Sequence, residues 1–147
     1  MRSESIYGML YKIFSSFSES RCTVKIQKSS EDYLEAMLML KEKRGFIRSI
    51  DIANLLGVTK PSVSYATKRL RENGYITMDP DGFITLEEKG LAIAQDIYMR
   101  HKVLTDFFIR IGVDEGVARE DACKIEHDIS AESFSALCRH LESGMNA

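Results

Sequence analysis

The chain has 147 residues, 44% of them hydrophobic and 29% charged, with a formal net charge of -2 at pH 7. That is enough apolar material for one core or two small ones, and it excludes a disordered chain. Cys22, Cys123 and Cys138 are too few and too irregularly spaced for a secreted disulfide framework, and no apolar run approaches the ~20 residues that span a bilayer. The expectation is a cytoplasmic protein without a membrane segment or signal peptide. Charge is unevenly placed: Lys41 to Arg71 holds eight basic residues against two acidic ones, while Leu91 onward holds six against ten. A basic block beside an acidic half suits a chain that meets phosphates with one part and gathers cations or a partner with the other.

In residues 1–28, Ile6, Met9, Leu10, Ile13, Phe14 and Phe17 recur at helical spacing, so this extension is a short amphipathic helix or a tail. The body starts at Ser29-Ser30-Glu31-Asp32, a helix-start signal in which Asp32 suits a capping box, and that helix ends at Gly45. A second helix runs from near Ser49 to Gly57. Thr59 caps a third from Lys60 to Glu72, with Pro61 in its first turn and Asn73-Gly74 closing it. Tyr75 to Met78 and Phe83 to Thr85 flank the turn Asp79-Pro80-Asp81-Gly82, which predicts a two-stranded wing. Thr85-Leu86-Glu87-Glu88 has the form of a capping box opening a long helix to Ile111; Asp114 to His127 reads as another, and Ser130 caps a last one through Leu141. The fold class is therefore mainly α, a winged helix-turn-helix followed by an all-helical half. The predicted division is an extension (1–28), a DNA-binding domain (29–90) and a helical metal-binding and dimerisation domain (91–147).

Ala53, Gly57 and Val63 are the small residue, turn glycine and buried aliphatic that let two helices cross through a tight turn. Set in the major groove, the third helix offers Thr59, Lys60, Ser62, Ser64 and Tyr65 near its N-terminus, while Lys68, Arg69 and Arg71 suit phosphates. Each of these polar residues alone also fits an ordinary solvated helix face, and Tyr65 also fits packing. Cap, turn, core pattern and wing together favour double-stranded DNA as the partner.

Cys123, Glu126 and His127 stand at i, i+3 and i+4, so in a helix their donors share a face. Asp32 and Glu35 repeat the i, i+3 spacing, and His101 interrupts an apolar stripe formed by Ala94, Ile97, Leu104 and Phe108. Singly, Asp32 fits a cap, Glu35 an exposed carboxylate, His101 a satisfied core group and Cys123 a packing residue. Convergence of carboxylates, imidazoles and a thiol on helices around one core points instead to a transition-metal site.

From about Ser29 to Leu141 the chain resembles the diphtheria toxin repressor family of metal-dependent regulators, in particular its short manganese transport branch. The resemblance rests on Glu31-Asp32-Tyr33-Leu34-Glu35, Val58-Thr59-Lys60-Pro61-Ser62-Val63-Ser64, Tyr98-Met99-Arg100-His101 and Cys123-Lys124-Ile125-Glu126-His127. It implies that Asp32, Glu35, His101, Cys123, Glu126 and His127 are the metal ligands, and that the SH3-like third domain of longer members is absent. It also implies repression of metal-uptake genes when the metal is plentiful. Manganese-type members carry a carboxylate where Cys123 stands, and iron-type members a methionine where Asp32 stands, so the chain mixes two patterns. Thr105 and Arg119 fall where iron-type members place ancillary ligands. Oxygen donors suit Mn2+ and a thiolate raises affinity for Fe2+, Co2+ and Zn2+, which leaves Mn2+ or Fe2+ as the effector and Zn2+ or Co2+ as binders in vitro.

The expected assembly is a homodimer, joined through its C-terminal helices, on a palindromic operator. One rival is a winged-helix regulator responding to a non-metal signal. The other is a metal-dependent hydrolase using Glu126 as base; the sequence has no nucleophile elbow, phosphate loop or H-E-x-x-H motif, so the chain is not expected to be an enzyme.

Overall fold

A computed structural model of the chain describes residues 26–145, so the expected amphipathic helix between Ile6 and Phe17 lies outside the described residues. Six helices and one hairpin follow in order: α1 (Lys28–Arg44), α2 (Ser49–Leu56), α3 (Lys60–Glu72), β1 (Ile76–Met78), β2 (Ile84–Leu86), α4 (Glu88–Arg110), α5 (Glu115–Ile125) and α6 (Ala131–Met145). The chain divides into two compact units, one of them Ile26–Tyr98 and the other containing Met99 onward, with the division inside α4. The architecture is the winged helix-turn-helix followed by helices that the hydrophobic periodicity predicts.

In the first unit, α1 opens on Gln27, which makes no side-chain cap, and closes on Gly45 in the left-handed conformation at φ 82°. Lys41, Lys43 and Arg44 occupy its last turn, where the negative end of the helix dipole favours cations. Helix α2 ends on Gly57 at φ 66°, and Val58 then donates to the Ala53 carbonyl, so the turn to α3 is closed by backbone bonds. Thr59 is the cap of α3: its hydroxyl accepts from the Ser62 amide at 3.3 Å. Val63, Thr67 and Leu70 form the buried face of α3, one turn apart. Thr67 satisfies its hydroxyl by donating to the Val63 carbonyl at 2.9 Å.

The wing pairs antiparallel with Ile76 opposite Leu86, Thr77 opposite Thr85 and Met78 opposite Ile84. Alternation follows the period of two: Ile76, Ile84 and Leu86 are buried, and Thr77 and Thr85 face out. Asp79 builds the connecting turn by accepting from the amides of Asp81 and Phe83 at 3.0 and 2.9 Å. Leu34, Met37, Ile47, Ile52, Val63, Leu70, Ile76 and Ala94 are central to this unit's core. Gly90 is required where α4 meets the wing, because a Cβ there would stand 2.2 Å from the Tyr75 carbonyl oxygen. Gly90→Ala is therefore expected to destabilise the winged unit by about 1–3 kcal/mol through backbone displacement, read as a lower urea midpoint.

The second unit has its own core of Val103, Phe134, Cys138 and Leu141, with Met99, Phe107, Ile129 and Leu137 packed against it. Burial pushes the Cys138 thiol up to about 11, with Glu142 adding to the shift and Arg139 and Arg100 opposing it. Cys138 is accordingly a packing residue.

Three sequence-based boundaries move. Helix α1 begins one residue before Ser29, which places Asp32 beyond its first turn and removes the capping box that would have accounted for it. Leu86 continues β2, so Glu87 rather than Thr85 accepts the first bond of α4, from Leu91 at 2.8 Å; strand pairing wins over the local capping pattern. Helix α5 stops at Ile125, so Glu126 caps it and His127 lies in the turn that follows.

Candidate functional site

In the helical unit, α4 supplies His101 and the end of α5 supplies Glu126 and His127. Glu126 keeps helical dihedrals at φ -53° and ψ -29° and donates its amide to Ala122, so its side chain still follows the α5 register. Its carboxylate is fully buried and lies between two imidazoles: Oε2 is 2.8 Å from His101 Nδ1, and Oε1 is 3.3 Å from His127 Nε2. The His127 side chain is only 2% exposed and that of His101 22%. A buried carboxylate is costly unless countercharged. His101 Nδ1 and Glu126 Oε2 make the shorter contact, a hydrogen bond whose direction follows the protonation of the ring. Carboxylate beside imidazole is a donor set suited to Mn2+, Fe2+, Co2+ or Zn2+, and a carboxylate on one ring nitrogen is the usual device for orienting a metal-ligating histidine. The residues therefore fit a divalent transition metal.

Cys123 is exposed on α5 while Glu126, three residues on, is completely buried. Thr105, one turn after His101, buries its hydroxyl oxygen without a hydrogen-bond partner among the described residues. Arg119 is exposed and pairs with Glu115 one turn earlier on α5.

In the winged unit, α1 carries Asp32 and Glu35 at i, i+3, so both carboxylates project from one side of the helix. Glu35 is only 7% exposed, which is not the ordinary solvated carboxylate that it could singly have been.

The DNA-binding candidates Thr59, Lys60, Ser62, Ser64, Tyr65, Lys68, Arg69 and Arg71 are all exposed, on or next to α3. Tyr65 is 64% exposed, which rules out the packing role. Arg69 reaches back to it, with its guanidinium 5.7 Å from the ring centroid and Nη1 3.5 Å from the hydroxyl. Thr59 and Ser62 share a 2.8 Å hydroxyl contact as part of the cap. Lys68 faces Glu72 at 3.9 Å in an exposed pair that contributes little.

Sequence reasoning missed Arg48. Residues 46–48 alternate exposed, buried, exposed, and Arg48 forms an isolated antiparallel bridge to Phe83 beside the two-stranded wing. Its guanidinium lies 4.6 Å from the Phe83 ring centroid and donates to the Asp81 carbonyl at 3.2 Å, which puts a fixed cation beside the acidic turn. The alternation Phe46-Ile47-Arg48 was the available signal, too short to read as a strand. Arg44, counted in the basic block, is held by Asp51 at 2.6 Å.

Two family models cover most of the chain. The iron dependent repressor N-terminal DNA binding domain matches residues 25–83, and the iron dependent repressor metal binding and dimerisation domain matches residues 87–144. An HTH-type transcriptional regulator of Methanocaldococcus jannaschii is 38% identical over 119 residues, 80% of this chain and 95% of that protein. The transcriptional regulator MntR of Salmonella typhimurium is 36% identical over 106 residues, 72% of this chain and 68% of that one. Among solved structures the manganese regulator SloR has a TM-score of 0.69 at 26% identity, covering 77% of this chain and 53% of its own. The chain thus spans about half the length of that solved regulator. With such relatives a non-metal signal is not favoured, and neither is an enzyme. The chain belongs to the iron-dependent repressor family of metal-responsive, DNA-binding transcriptional regulators.

Proposed function

We propose that the protein is a metal-dependent repressor whose corepressor is Mn2+ or Fe2+, with Asp32, Glu35, His101, Cys123, Glu126 and His127 as the ligand set. The observation that carries this reading is the buried Glu126 carboxylate with His101 and His127 on its two oxygens. When bound, the ion supplies the positive charge that such a carboxylate requires. Glu35, on a helix of the winged unit, is a second buried carboxylate. Cys123, three residues before Glu126 on α5, is the thiolate of the set. On this reading metal occupancy and operator affinity are linked, and each must tighten the other by the same factor.

The DNA-bound form is a homodimer on a palindromic operator, one α3 per half-site, and the regulated genes are those of metal uptake. Lys60, Ser62, Ser64 and Tyr65 read base edges from the N-terminal part of α3, while Lys68, Arg69 and Arg71 meet phosphates. The protein acts in the cytoplasm. Selection of operator sequences under anaerobic conditions with Mn2+, Fe2+ or Zn2+ tests the proposal. Enrichment of one palindrome only in the presence of metal is the outcome it requires, and equal enrichment with a chelator present would refute it. On the selected operator, Arg71→Ala is expected to weaken binding equally across sequence variants and to lower the slope of log affinity against log salt by about 1, measured by fluorescence anisotropy. Tyr65→Ala is expected instead to relax base preference at one position of each half-site.

A further inference from the structure

Arg100 precedes His101 on α4 and is 8% exposed, yet the ligand chemistry of the proposed site gives it no part. Its Nη1 donates to the Ile129 carbonyl at 2.7 Å and, more weakly, to the Glu126 carbonyl at 3.4 Å. Both acceptors belong to the turn after α5, where the chain leaves the helix: Asp128 and Ile129 donate to the Ile125 carbonyl at 2.9 and 3.0 Å, and the helix then ends. A buried backbone carbonyl needs a donor, and in this turn the Arg100 guanidinium supplies one from another helix. Both bonds leave the same nitrogen, Nη1, whose hydrogens are fixed in direction by the plane of the guanidinium, a constraint that a lysine ammonium lacks. On its other side the guanidinium lies 5.4 Å from the ring centroid of Phe134, a fully buried residue of α6. Helix α4, the turn and α6 are thereby tied at one point.

We propose that Arg100 is the positioning residue of the metal centre, holding the turn that carries Glu126 and His127 in register with His101 so that the three donors are set before metal arrives. The inference rests on the metal reading above. Arg100 touches no metal in this account and acts through the backbone of residues 126 and 129. A cation near a metal site taken only as a charge disfavours metal, so its removal would tighten binding; as a positioning group its removal loosens binding. The two roles predict opposite signs. Groups that orient metal ligands from behind typically cost about tenfold to 100-fold in metal affinity when lost.

The test is Mn2+ titration, followed by the electron paramagnetic resonance signal of the free ion, on the full-length protein and its Arg100→Gln and Arg100→Lys variants. The Co2+ absorption spectrum serves as a reporter of ligand geometry, and apo-protein melting as a control. We expect Arg100→Gln to weaken Mn2+ binding about tenfold or more and to alter the Co2+ spectrum. Arg100→Lys, which keeps the charge and one hydrogen bond, should recover part of the loss. A melting temperature that falls while Mn2+ affinity and the Co2+ spectrum stay unchanged would show a purely structural role and overturn the proposal, as would tighter binding in the Gln variant. If Arg100→Gln fails to fold, the lysine variant decides: wild-type affinity and spectrum overturn the proposal. Absence of Mn2+ binding by the wild type overturns the metal reading itself, and this inference with it.

Discussion

Glu126→Gln is expected to lower Mn2+ affinity by roughly 100-fold or more while leaving the apo-protein folded, because a directly ligating group should cost at least as much as the groups that orient ligands. The carboxylate is fully buried with an imidazole nitrogen at 2.8 Å on one oxygen and another at 3.3 Å on the second. Glutamine preserves shape and one acceptor and removes the charge. Since a buried charge costs desolvation, its neutral isostere is not expected to destabilise the apo form by more than about 1 kcal/mol. The variant therefore separates the two roles a buried carboxylate can have. Isothermal calorimetry with Mn2+ and a urea melt of the metal-free protein make the separation. A variant that still binds Mn2+ as the wild type does would remove Glu126 from the ligand set, whereas one that unfolds without metal would make it a structural residue.

The second large effect is expected at Phe134→Ala, about 3–5 kcal/mol of stability lost from the helical unit. Phe134 is completely buried and shares the centre of that core with Val103, Cys138 and Leu141. Truncating so large a buried ring loses its transfer free energy and leaves a void behind. The same ring is the face on which the Arg100 guanidinium rests, so its loss also loosens the cation that holds the turn after α5. Metal should offset part of the damage: binding to the native state alone contributes about 2.7 kcal/mol at a concentration 100 times the dissociation constant. Thermal melts of the variant with and without Mn2+ measure this. A melting point unmoved by saturating Mn2+, in a variant that retains helical circular dichroism, would show that the second core and the metal centre are independent.

Much of the winged unit is legible in the sequence because its signals are local and mutually consistent. Thr59, Pro61 and Asn73-Gly74 bound α3 within the chain itself, and Val63, Thr67 and Leu70 recur at the helical period. Errors arise where a longer-range partner decides. Thr85 looks like a helix cap, but pairing with Thr77 claims it for β2. Arg48 reads as a generic basic residue until Phe83, 35 positions away, places it on the wing. Of the candidate metal donors, Glu126 and His127 are recognisable from spacing alone, and helical dihedrals at Glu126 preserve that spacing one residue past the helix end. The exposure of Cys123 and the burial of Glu35 are set by what each helix packs against, which periodicity does not encode. Arg100 is invisible for the same reason: its partners are backbone carbonyls, and those carry no sequence signature.

The central claim is that metal and operator bind one linked system through His101, Glu126 and His127. It is tested most directly by measuring operator affinity across a Mn2+ titration for the wild type and for Glu126→Gln, and Mn2+ affinity with and without operator. The account predicts that saturating metal raises operator affinity in the wild type, that operator raises Mn2+ affinity by the same factor, and that both gains vanish in the variant. An operator affinity independent of Mn2+ in the wild type, or an undiminished metal response in Glu126→Gln, would contradict it.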